Sequence, residues 1–111
     1  MDDPYKEVLI CEYPDDALFD IFVHRIIKDF KGHLLHKVQN QDVRYYDFLI
    51  NQIQITLHME TFVGITVFPT ELNQANHETQ NTITTIGMNL KLLYDKHQSD
   101  IKKSDDKTKR N

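Results

Sequence analysis

HLLHKVQNQDVRYYDFLINQIQITLHMETFVGITVFP, residues 33–69, is the stretch on which the fold turns. Within it, IQITLHME (53–60) alternates apolar and polar residues without a break. Ile53, Ile55, Leu57 and Met59 point one way; Gln54, Thr56, His58 and Glu60 point the other. HLLHKV, VRYYDFLI and GITVF read as three further strands, which makes residues 33–69 a β-meander. Asn51-Gln52 fits a two-residue hairpin loop, because asparagine tolerates positive φ. That loop sets a register in which Ile50 faces Ile53, Phe48 faces Ile55 and Tyr46 faces Leu57. These pairs build the core face. The opposite face carries Tyr45, Asp47, Gln54, Thr56, His58 and Glu60, as expected of an antiparallel sheet covered on one side.

Upstream, residues 15–31 predict a helix that ends at Gly32. Phe19, Phe22, Val23, Ile26, Ile27 and Phe30 share one face, and Asp16, Asp20, His24, Lys28 and Lys31 the other. Asp15 and Asp16 suit its positively polarised start. Before Pro14, KEVLICE (6–12) reads as a strand whose apolar run suits cover on both faces. Downstream, Pro69 closes the meander and 70–77 reads as a loop. Ile83, Ile86, Leu90, Leu93 and Tyr94 then mark a helix over about 76–98, with Met88 and Leu92 on its back. Gly87 and a threonine-rich first half weaken its intrinsic helicity, so packing has to hold it. The order β-α-β-β-β-β-α predicts an α+β fold, an antiparallel-rich sheet with two helices packed on one face. The place of the first strand in the sheet is left open. Residues 1–98 read as a single α+β domain and residues 99–111 as a disordered charged tail.

The 111 residues suffice for one core. Residues 99–111 hold five basic and three acidic residues, a net of +2. The chain total of -4 therefore leaves -6 on residues 1–98. A negative body repels phosphate, which argues against a nucleic-acid ligand and suits a basic protein. No apolar run approaches the roughly 18 residues that cross a bilayer. The acidic start MDDP lacks the character of a signal peptide, and Cys11 is the single cysteine. A reducing cytoplasm is the expected compartment, with no membrane contact.

Catalytic motifs are absent from the sequence. Gly32, Gly64 and Gly87 sit in neither a dinucleotide-binding nor a P-loop pattern. Cys11 lies in an apolar strand, where thiols are inert packing groups. His33 and His36, three apart in a strand, face opposite ways; His24 and His97 lie on helix surfaces. His58 and Glu60 have metal-competent spacing and need a third ligand such as Asp47. The carboxylate pair Asp15-Asp16 is explained by the helix start, and Asp105-Asp106 by a solvated tail. No cofactor is expected.

Residues 42–69, through Leu57, His58, Glu60, Gly64, Phe68 and Pro69, resemble a pattern in small acidic bacterial immunity proteins. The resemblance implies a chain that neutralises a cognate toxin by binding it, with an acidic surface occupying a basic site on the toxin. Two candidate partner-binding surfaces follow from the residues themselves. One comprises Glu12, Asp15, Asp16 and Asp20, the other Tyr45, Asp47, His58 and Glu60. Tyr45 also fits a plain cross-strand pair with His58. The alternatives are a secretion chaperone or adaptor, which would form a homodimer, and a small metal-dependent hydrolase using Asp47, His58 and Glu60.

Overall fold

The computed structural model describes residues 7–71 and 76–109, with side chains to residue 100. Its centre is the hairpin of β3 (Val43–Ile50) and β4 (Ile53–Glu60). Ile50 pairs with Ile53, Phe48 with Ile55 and Tyr46 with Leu57, in the register that a two-residue loop imposes. Asn51 takes the positive φ of that turn, at 56°. β2 (His33–Gln39) pairs with β3, and β5 (Gly64–Pro69) with β4. β1 (Val8–Cys11) pairs antiparallel with β5, so the sheet order is β1-β5-β4-β3-β2.

α1 (Asp16–Asp29) begins at an N-cap, Asp15, whose Oδ1 accepts the Leu18 N–H at 3.0 Å. It ends with Lys31 at φ 56° and the Gly32 N–H donating to the Ile26 carbonyl at 3.0 Å, a bond that reaches back six residues and folds the chain over the helix end. Leu18, Phe19, Phe22 and Ile26 are its buried stripe. Ile27, expected inside, is 43% exposed: it stands one residue, or about 100°, around the helix from Ile26.

α2 (His77–Lys109) packs on β1 and β5 and touches α1, so both helices cover one face of the sheet. Asn76 caps it through Oδ1 to the Thr79 N–H. Gly87 lets it lie against the strand, since a Cβ there would stand 2.7 Å from Cγ1 of Val8. The stop expected near residue 98 is not where α2 ends. Its backbone stays helical to Lys109, since no glycine or proline follows Gly87 to break it. Residues 72–75 of the expected loop and 110–111 of the expected tail lie outside the described residues.

The two helices and the sheet enclose one core. Phe19, Phe22, Phe48, Ile55, Leu57 and Ile86 are among its fully buried members. Each such side chain contributes about 1.5–3 kcal/mol by leaving water. No helix among the described residues is long and apolar enough to cross a membrane.

Candidate functional site

Three loops meet at one end of the sheet: the β1–α1 junction, the β2–β3 loop and the β4–β5 turn. The β2–β3 loop is fixed by Asn40, whose Oδ1 accepts the N–H groups of Asp42 and Val43 at 2.8 and 3.0 Å. Thr61 N–H donates to the Asp42 carbonyl at 3.2 Å, and Val63 N–H to that of Glu60 at 3.1 Å. Gly64 abuts the backbone of Cys11, Glu12 and Tyr13. The β4–β5 turn is thus held on both sides, and from it Phe62 projects with 97% of its surface exposed. Val63 and Tyr13 beside it are also exposed.

The surrounding charge is acidic. Glu12, Asp16 and Asp42 are exposed, and Asp15 and Glu60 half-buried. The one cation lining the adjoining cleft, Arg44, is occupied: it donates to Asp16 at 2.9 Å and to Asp20 at 2.8 Å. Its guanidinium also lies 4.2 Å from the Phe19 ring centroid and donates to the Tyr46 hydroxyl, which itself donates to Gln39. Burial opposes the charge on Arg44. The hydrogen bonds to Tyr46, Asp20 and Asp16 outweigh that, and its pKa is raised. A cleft of about 370 Å³ opens next to the turn, lined by Pro14, Asp16, Asp42, Arg44, Met59 and Thr61.

The acidic residues expected to form one surface therefore have distinct local duties. Asp15 caps α1, and Asp16 and Asp20 clamp it to β3 through Arg44; Glu12 remains free of such a role among the described contacts. Glu60 ends β4 and belongs to the same end of the molecule as Glu12.

The second expected surface is more closed than its alternation implies. Tyr45 stacks on His58 with ring centroids 4.5 Å apart and planes 17° from parallel. Phe68 meets the same imidazole edge-on at 5.9 Å. His58 and Thr56, expected exposed, are 6% and 3% exposed, because large neighbours on β3 and β5 roof them. Nδ1 of His58 bonds Thr66 Oγ1 at 3.2 Å. Nε2 has no hydrogen-bond partner, and it lies 3.6 Å from Oε2 of Glu60. Asp47 accepts from Thr56 Oγ1 at 2.7 Å and sits 3.7 Å from Nδ1 of His36. The three groups Asp47, His58 and Glu60 do not form a metal site: no cluster of three or more such ligands exists among the described residues.

Desolvation is the main influence on His58 and lowers its pKa, partly offset by Glu60 and Glu7. A base whose folded pKa is depressed binds protons more readily unfolded than folded. Its contribution is therefore complete above the unfolded value near 6.5 and lost as pH falls through the folded value. Denaturant titrations between about pH 7.5 and about pH 5.5 are expected to show wild-type stability falling, and a His58→Gln variant falling less. Equal losses in both proteins would show that His58 is not the group responsible.

Comparison of the chain with protein-family models, with curated proteins and with solved structures found no match.

Phe62 is the residue that sequence reasoning missed. It sits between two strands, where the alternation pattern assigns no face. The available signal was chemical: Thr61-Phe62-Val63-Gly64 places two large apolar residues in a turn, where small and polar residues are usual.

Proposed function

We propose that this protein works by binding another protein. It is an inhibitor that neutralises a basic partner such as a toxin domain, the role implied by the resemblance of residues 42–69 to immunity proteins. The observation that carries the reading is Phe62, 97% exposed on a turn braced by hydrogen bonds and surrounded by carboxylates. Exposing a phenylalanine so fully serves no packing purpose among the described residues. Aromatic side chains that enter a partner's pocket dominate binding energies, and a charged rim around them speeds encounter and fixes orientation. Glu12, Asp42 and Glu60 supply such a rim, and the braced turn leaves the backbone that carries the ring little conformational freedom to lose on docking.

The test compares wild type with Phe62→Ala. Tagged full-length proteins are incubated with lysate from the organism that makes them, and the bound fractions are identified by mass spectrometry. The expected result is one stoichiometric, basic partner on the wild type, bound more weakly at high salt. Its affinity for Phe62→Ala should be reduced by about 2 kcal/mol or more, roughly thirtyfold. Both proteins should melt alike, because the ring makes no core contact. Equal affinity in the two proteins, or a partner that is acidic, would sink the proposal.

A further inference from the structure

The two outer strands of the sheet are unlike. β1 has four residues and packs under α2, whereas β2 has seven and every one is exposed. The inner edge of β2 pairs with β3; its outer edge presents N–H and C=O groups to no other strand among the described residues. A bulge between Leu34 and His36 breaks the alternation, so that Leu34 is registered with Phe48 of the core face and Val38 with Tyr45 of the open face. Apolar side chains consequently emerge on both sides. Leu34, Leu35 and Val38 are 43%, 50% and 45% exposed.

Edges of this length are normally protected by charge or proline. β2 contains neither proline nor carboxylate, and its one lysine, Lys37, lies over its own sheet with Nζ 5.5 Å from the Tyr46 ring centroid. No acidic residue occurs from 30 to 41, although residues 1–98 carry seventeen acids less the three of the tail. Two copies of an acidic molecule repel, and they approach at least cost where carboxylates are missing. β2 is that strip, and it is also the free edge.

We propose that β2 pairs antiparallel with β2 of a second copy across a two-fold axis, joining two five-stranded sheets into one. Both sides of this contact are the same strand, so Leu34, Leu35 and Val38 of each copy cover those of the other. β1 is short and held under α2, so pairing β2 with β2 closes the assembly as a dimer rather than propagating it. Seven residues a side lie at the low end of specific interfaces, near 1,200 Å² in total, and the dimer is concentration-dependent.

Sedimentation equilibrium of the full chain over a range of concentrations tests this, together with amide hydrogen exchange of β2 in dilute and concentrated samples. The mass is expected to rise from 13.2 kDa toward twice that value, with β2 exchange slowing in step. Added salt should strengthen association by screening the two acidic bodies. The L35K/V38K variant sets like charges across the axis and should weaken the dimer on the order of tenfold or more. Both substituted positions are exposed, and circular dichroism checks that the variant folds. A chain that stays monomeric, or associates without slowing β2 exchange, would overturn the proposal. So would a folded L35K/V38K variant that dimerises unchanged. A monomer whose β2 is protected only by an added acidic peptide would replace self-pairing with strand addition from another protein.

Discussion

Gly64→Ala is expected to destabilise the protein on the order of 4 kcal/mol or more, the largest effect of an added methyl group at any of the three glycines. The residue holds φ 105°, a conformation that side chains rarely adopt. A Cβ built there would stand 2.0 Å from the Cys11 carbonyl oxygen, 2.7 Å from the Glu12 carbonyl carbon and 2.9 Å from the Tyr13 nitrogen. All three obstacles are backbone, so no side-chain rotation relieves them. Either β1 separates from β5 next to the Cys11–Ile65 pair, or the β4–β5 turn opens. Both routes cost ladder hydrogen bonds as well as the strain of the substituted residue. Urea unfolding followed by circular dichroism measures the difference. A midpoint close to that of the wild type would mean that the junction yields far more easily than its contacts imply. On the proposed binding role of Phe62, the same variant is expected to bind its partner more weakly, because the turn that carries the ring is displaced.

Phe19→Ala is the second large change, about 3–5 kcal/mol. Phe19 is fully buried, meets Tyr46 edge-on at 5.0 Å and lies beneath the Arg44 guanidinium at 4.2 Å. Its removal leaves a cavity between α1 and β3. It also strips a largely buried cation of the ring face that helps to offset its desolvation, worth about 0.5–2 kcal/mol. The ion pairs with Asp16 and Asp20 cannot compensate. Those carboxylates are mostly exposed, and pairs of that kind contribute about 0–1 kcal/mol each. Thermal and urea unfolding of Phe19→Ala beside Asp20→Asn separates the two contributions. Comparable losses in both variants would assign the clamp to its charges instead of its aromatic plate.

The central hairpin was legible in the sequence because its information is local. Strict alternation in residues 53–60 and a two-residue turn at Asn51 leave a single register in which apolar residues meet. The position of β1 was not legible, because it is set by two close approaches between segments remote in sequence: the backbone at Gly64 against that of Cys11 to Tyr13, and the α2 backbone at Gly87 against the Val8 side chain. Alternation also assigned Thr56 and His58 to the correct face without revealing their burial. That depends on Tyr45 and Phe68 flanking them, which requires knowing that β5 lies beside β4 with His58 opposite Thr66. The acidic residues before and within α1 were visible as charge. Their division into cap, clamp and free carboxylate depends on Arg44, which approaches from a strand 24 residues beyond Asp20.

The pairing of β1 with β5 also dictates an order of events. Val8 lies opposite Val67, so the first strand of the chain has no neighbour until almost the whole meander has formed. The β3–β4 hairpin closes over two residues and costs little chain entropy, whereas seating β1 closes the longest loop in the sheet. Assembly is therefore expected to run from the β3–β4 hairpin outward, with β1 docking late. Cys11, the only thiol, sits at the end of that strand and is 1% exposed once it is seated. Its reactivity toward a thiol reagent is expected to fall as β1 docks, which makes the thiol a clock for that step.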